Sequence, residues 1–535
     1  MSHRYFIGCL VLLFSTSGLL AQSLPDAVKA PAKPKDASDQ LFEGGKILKL
    51  RIEVAPDQVQ KLREKNREFV KATIVEEGGA TYKDVGIKLK GAAGSFRGFD
   101  DRPALTVSAD KYIRQQVFHD LEKFHLNNSV QDESYLNELI ASDIFRAAGY
   151  PATRVTHARV WLNGRDLGLY VLKEGFDKRF LGRYFAKTNG NLYDGGFCQD
   201  IDAQLEKDSG NGVDDRSDVK AIVDACREGD PQKRFEKLTA VLDTDAMATF
   251  VAIELLTCHW DGYCKNVNNY RVYFEPTTKK AYFFPHGMDQ MFGDTGTPIA
   301  DYPRGMASNA IMQNPVMRAK YLDRVSDLIA MISPPDKLQA RCDEIQKRLE
   351  PVLTEIHPDR AKQHADRVRE VKERIKNRAQ NLVEQRARLP VKFDAQGVAK
   401  LVDWTKQAQS GDAKVELVDL PGGRKAYSIE CGPSNNVVAS WRRKALLTKG
   451  KYRLEALVAT RDIVPQGDPK GSGVGLRVSG GMRGDGLSGT SGGQQLAFDF
   501  VVNEDQREVE LVAEMKATKG QVWFAADSLQ LRRVP

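Results

Sequence analysis

Long apolar runs are scarce. Beyond the N-terminus no stretch approaches about eighteen uninterrupted apolar residues, so nothing else in the 535-residue chain is suited to cross a bilayer as a helix. Zinc signatures are missing too. None of the seven cysteines forms a C-x-x-C pair, which removes the common structural zinc sites. H-E-x-x-H is absent, so no zincin centre is encoded. Charge of one sign is also lacking: 79 Lys and Arg are interleaved with 72 Asp and Glu, leaving +7. That is a solvated mixed surface and gives no reason to expect nucleic acid as a partner.

The one long apolar run is an address. Arg4 supplies a positive start, Tyr5–Leu20 is apolar, and Ala21 is a small residue before a cut. Residues 1–21 therefore read as a signal peptide, and the mature protein is expected to be secreted, periplasmic or on the cell surface. Gln22 and Ser23 follow, so the lipoprotein cysteine is missing. Six cysteines remain after Cys9 leaves. An even number in an oxidising compartment permits disulfides, and Cys258 with Cys264 could staple the loop between them; reduced, buried thiols are the equal alternative.

Length calls for several domains. Residues 22–42 carry Pro25, Pro31 and Pro34 and read as a flexible linker. Residues 43–332 mix strands and helices. The clearest hairpin runs from Arg154 to Leu172 around Asn163-Gly164. A helix is expected over Ser134–Ala148, with Glu138 as its one notable acid, able to pair with a phosphate-binding cation. Residues 333–390 are charged and helical, and read as a solvated two-helix brace broken at His357-Pro358. Residues 391–535 carry short apolar runs separated by Gly-rich loops, the pattern of a β-sandwich of jelly-roll type. Trp404, Trp441 and Trp523 read there as core residues.

Chemistry concentrates between Cys258 and Gly293. An apolar helix, Ala246–Thr257, ends in a polar loop with Asp261 and three asparagines. Two strands follow, Tyr270–Phe274 and Ala281–Phe284, and the second runs toward Asp289. Phosphoryl transfer can use this arrangement: one carboxylate orients a hydroxyl, while an amide and a second carboxylate hold magnesium. Upstream, the Gly-rich segment 90–103 could offer backbone N–H groups to phosphate oxygens, with Lys90, Arg97 or Arg102 as cations.

These pieces stand in a series: K-L-K-G-A-A-G-S at 88–95, F-H-L-N-N at 124–128, W-L-N-G-R-D-L-G-L-Y-V-L-K-E at 161–174, then H-W-D, N-N-Y-R-V-Y and H-G-M-D-Q-M-F-G. The series over residues 45–325 resembles the CotH kinase family of atypical secreted protein kinases. The resemblance implies an α+β, protein-kinase-like domain that binds ATP with Mg²⁺ or Mn²⁺ and phosphorylates exported Ser/Thr-rich proteins. It implies Asp261 as the catalytic aspartate, Asp289 and Asn269 as metal ligands (Asn266 being the rival amide), and Glu174 as an acid that places the nucleotide. Lys90 and Arg102 are the candidate phosphate cations. The chain departs from the family pattern at Gly287, where relatives often carry an acid, and at Ser108, where many carry a base. A degenerate kinase fold serving as a surface or wall-polymer binding module is the alternative, with a carbohydrate or surface ligand for the C-terminal domain.

Overall fold

The computed structural model describes residue 29 and residues 35–432, 436–468, 471–481, 483, 486–504 and 507–535. The signal-peptide reading of 1–21 and most of the 22–42 linker lie outside the described residues. The linker ends sooner than expected. Ala37–Glu43 is a helix, because Asp36 caps the amides of Ser38 and Asp39 and the helix buries Leu41 and Phe42. Arg154 lies over the Phe42 ring at 4.6 Å.

Seven strands form a closed barrel: β1 (Leu48–Glu53), β2 (Val70–Glu76), β3 (Thr81–Lys90), β4 (Ala104–Ser108), β5 (Lys123–Asn127), β6 (Val155–Leu162) and β7 (Arg165–Glu174). Neighbours run antiparallel in the order β1-β2-β3-β4-β5-β7-β6, and a parallel β1–β6 pairing closes the ring. Closure leaves no free edge. Alternating apolar residues such as Leu50, Ile52, Ile87, Leu89, Leu105 and Val107 fill the interior. The β6–β7 hairpin turns at Asn163 and Gly164, both at positive φ (47° and 76°), the geometry that Asn-Gly supplies cheaply. β5 begins only at Lys123, since His119 and Asp120 turn at positive φ.

A second core lies beside the barrel. Its sheet has the order β11-β10-β8-β9, from β8 (Leu192–Asp194), β9 (Glu206–Ser209), β10 (Tyr270–Phe274) and β11 (Ala281–Pro285). The Asn137–Ala147 and Thr244–Leu256 helices pack with it. The charged helices Asp336–Ile356 and Pro358–Arg386 do not stand apart as a solvated brace. Ile345, Leu349, Val371, Ile375 and Leu382 belong to this same core, because each helix repeats apolar residues on one face beneath its charged exterior.

The C-terminal residues form a ten-stranded all-β unit around a third core. One long strand, Arg507–Ala525, pairs with four others. Trp404 and Trp441 are buried, as expected. Trp523 is half-buried instead, with Arg461 5.5 Å from its ring. The six described cysteines are all free, so no disulfide staples the 258–264 loop; Cys258 and Cys264 are buried thiols whose burial pushes their pKa values up.

Candidate functional site

A cleft of about 360 Å³ opens between the barrel and the second core. Lys90, Asp261, Asn269 and Asp289 line it; Arg102 and Glu174 do not.

The Asp261 side is built from the Thr244–Leu256 helix. That helix is apolar all round and fully buried over most of its length, and Asp243 caps it by accepting from the Ala246 amide at 2.9 Å. Thr244 and Asp245 lie inside the first turn. At its far end the fully buried Arg378 donates to the Leu256 and Leu255 carbonyls at 3.0 and 2.7 Å, covering acceptors the helix leaves open. The chain then reverses at Cys258, φ 54°. Glu254, wholly buried, accepts from the amides of Tyr263 and Cys264 at 3.2 and 2.7 Å, which pins the loop that follows Asp261. His259 lies 3.4 Å from Glu254 and bonds the Gly287 carbonyl through Nε2 at 3.2 Å. Burial works to lower the pKa of His259, but Glu254 outweighs it and the balance is raised. Glu254 and His259 therefore tie the Asp261 loop to the loop that carries Asp289.

Three asparagines surround the Asp261 carboxylate. Asn266 donates to Oδ1 at 2.6 Å, Asn269 to Oδ2 at 2.7 Å, and Asn268 to both oxygens at 3.1 and 3.2 Å. Of the two rival amides, Asn269 lines the cleft and Asn266 does not; Asn268, which sequence reasoning passed over, lines it too. Gly287 makes this packing possible. It sits at φ 50°, and a Cβ there would stand 2.2 Å from Asn269 Oδ1. The missing acid at 287 and the seat of Asn269 are thus one structural choice.

Asp289 is half-buried at the cleft wall, and desolvation with Glu138 and Asp132 nearby pushes its carboxyl up to about 7. Its carbonyl accepts from Asn137 Nδ2 at 3.0 Å. On the barrel side, Lys90 ends β3 and donates to Asn127 Oδ1 at 2.6 Å; burial and the Lys173 charge pull its ammonium down to about 8. Lys173, fully buried, pairs with Glu138 and contacts His286 Nδ1 at 3.2 Å. Burial works against the Glu138 carboxylate, yet Lys173 and Lys90 hold its carboxyl below the usual range. Burial and the same two lysines keep His286 well below the usual imidazole value. Ser108, where many relatives have a base, donates to Asp110 at 2.9 Å and is not among the cleft's lining residues.

Two candidates need correction. Successive strand residues point to opposite faces, so at the end of β7 it is Lys173 that reaches the Glu138 pair beside the cleft. Glu174 points away, buried against Arg154 at 2.9 Å and Arg183. The K-E dipeptide carried the signal, and alternation decides between its members. Arg102 is turned against the barrel, over the Tyr170 ring at 5.2 Å and bonded to the Leu169 carbonyl and Tyr135 hydroxyl.

Among the described residues, no group of three His, Cys, Asp or Glu side chains is placed to hold a metal by itself. The donors at hand, the half-buried Asp289 carboxylate and the Asn269 amide, are hard oxygens. They fit a magnesium-type ion that takes most of its ligands from water and phosphate, and they do not fit a closed protein cage.

Comparison with known proteins agrees with the sequence motifs. The family model described as CotH kinase protein matches residues 87–382, over half of the chain, and the chain belongs to that family. The match runs through both charged helices, in keeping with their place in the second core. Among relatives, Invasin CotH2 of Rhizopus delemar is 26% identical over 249 residues, covering 39% of this chain and 41% of that protein. Spore coat protein homolog 1 of the same organism is 21% identical over 230 residues, covering 37% of each. The chain thus spans about two fifths of the length of the relatives it matches. A solved structure of TmCBM61 with beta-1,4-galactotriose matches 25% of this chain and 90% of its own, at 15% identity and a TM-score of 0.19, too low to carry any argument.

Proposed function

We propose that this chain is an exported phosphotransferase with a kinase-like fold, which moves the terminal phosphoryl group of ATP onto Ser or Thr hydroxyls of secreted or cell-surface proteins. The observation that carries the reading is convergence in one cleft, which Lys90, Glu138, Asp261, Asn269 and Asp289 all line, with the buried Lys173 pairing Glu138 from behind. Lys90 binds phosphate oxygens, and the buried Lys173 holds Glu138 in place beside it. Asp289 and the Asn269 amide oxygen hold Mg²⁺ or Mn²⁺, which when bound neutralises phosphate charge. Asp261 accepts a hydrogen bond from the acceptor hydroxyl and orients it for in-line attack. The relatives' names, invasin and spore coat protein homolog, are in keeping with a surface location.

One observation favours a binding role instead. Both oxygens of Asp261 are already engaged by asparagine amides, which suits a rigid recognition loop as well as a catalytic one. Thermal unfolding of the mature protein with ATP, with and without Mg²⁺ or Mn²⁺, separates the readings. Ligand at about 100 times Kd raises stability by about 2.7 kcal/mol. Phosphotransfer predicts a metal-dependent shift lost in Asp289→Ala and kept in Asp261→Asn, with transfer to a Ser/Thr-rich protein slowed in the latter. No shift with the folded wild type overturns the proposal and leaves the binding role.

A further inference from the structure

Where the helical core meets the C-terminal strands, two hollows of about 200 and 160 Å³ adjoin. Arg386 and Arg443 line both. The smaller hollow is also lined by Lys392 and Lys400, with Asp327 as its single acid. That acid is taken, lying 3.2 Å from Lys392. The larger hollow has three acids: Asp403, bound by Arg386 at 2.7 Å, Glu510, bound by Arg442 at 2.6 Å, and Glu384. Arg443 donates only to carbonyls, through Nε to Val402 at 2.7 Å and through Nη1 to Lys444 at 3.4 Å. Among the described residues neither Arg443 nor Lys400 has an ion-pair partner.

Two guanidinium groups held together in a hollow repel one another unless an anion sits between them. Here burial and the Arg386 charge together pull Arg443 down to about 10, more than the opposing Asp403 carboxylate offsets. A tetrahedral oxyanion answers that imbalance, since it accepts several charged N–H donors at once and a guanidinium fork matches its edge. The hollow is built on rigid parts: Arg386 ends a 29-residue helix and Arg443 sits inside an 11-residue strand.

We infer that the Arg386–Arg443–Lys400 hollow is a binding site for a phosphate or sulfate group, separate from the nucleotide cleft. The group can be free or carried on a polymer, and the chemistry of recognition is shared. The test is calorimetric titration of the full mature chain with inorganic phosphate, inorganic sulfate and a phosphoserine peptide. The probes are run on wild type, Arg443→Gln, Lys400→Gln and Lys90→Gln, each checked for native circular dichroism. Loss of one charged hydrogen-bond donor predicts about tenfold weaker binding in Arg443→Gln or Lys400→Gln. Lys90→Gln, which alters only the cleft, leaves unchanged the binding component that Arg443→Gln and Lys400→Gln weaken. Binding of the inorganic ions alone identifies a free-anion site, whereas tighter binding of the peptide identifies a polymer-borne group. Absence of saturable binding, or binding lost in Lys90→Gln and retained in both hollow variants, overturns the inference.

Discussion

Gly287→Ala tests how the site is held together. The residue sits at φ 50°, so any side chain incurs the cost of left-handed backbone, about 1–3 kcal/mol. The new Cβ would also stand 2.2 Å from Asn269 Oδ1. Asn269 is the far end of a side chain and can swing aside, but doing so breaks its 2.7 Å bond to Asp261. A hydrogen bond to a charged group contributes about 1.5–3 kcal/mol. In an Asn269→Ala background that second loss is already taken, and only the backbone cost remains. Gly287→Ala is therefore expected to be less destabilising by about 1.5–3 kcal/mol when Asn269 is alanine. Urea unfolding of the four proteins, with hydrogen–deuterium exchange on peptides covering 258–270, measures this coupling. Additive costs, equal within about 0.5 kcal/mol, would refute the claim that Gly287 acts through Asn269.

Other variants report on neighbouring parts. Glu174→Gln leaves Arg154 with Asp39 alone and the half-buried Arg183 without an ion-pair partner among the described residues, so it should lower stability by about 1.5–3 kcal/mol while any ATP-induced thermal shift survives; loss of the shift in folded protein would return Glu174 to the nucleotide site. Glu254→Gln should weaken the loop by about 1.5–3 kcal/mol and speed exchange at the Tyr263 and Cys264 amides, read by hydrogen–deuterium exchange. Burial pushes the Asp177 carboxyl up to about 6 from 3.8, so between those values the native state holds a proton that the unfolded chain has released. Stability should therefore fall as pH rises through that window. Asp177→Asn, which keeps an N-cap acceptor, should flatten the slope in urea unfolding measured from pH 4 to pH 6.5.

Much of this molecule is legible from local rules. Asn163-Gly164 announces its hairpin, His357-Pro358 breaks the charged helices where expected, and the run from the buried helix to Asp289 reads as one functional segment. Each depends on neighbours in sequence, where φ preference, capping and apolar period act directly. The Glu174 and Lys173 exchange belongs to another kind of fact. Sequence marks the end of a strand, but which residue faces the cleft depends on the register of β7 against β5 and β6. Arg102 likewise looks like any basic residue in a Gly-rich loop until Tyr170 and the Leu169 carbonyl, contributed by β7, claim it.

The sequence alone thus determined the family and the residue types available for phosphoryl chemistry. Tertiary structure decided which of them share a cleft. Lys90, Asp289 and Asp261 lie far apart along the chain, and only barrel closure and core packing bring them together. It also decided that Arg378, one charge among many in a surface-like helix, is buried as the cap of the helix leading to Asp261. Burial is a property of the whole fold, so no local pattern of charges could reveal it.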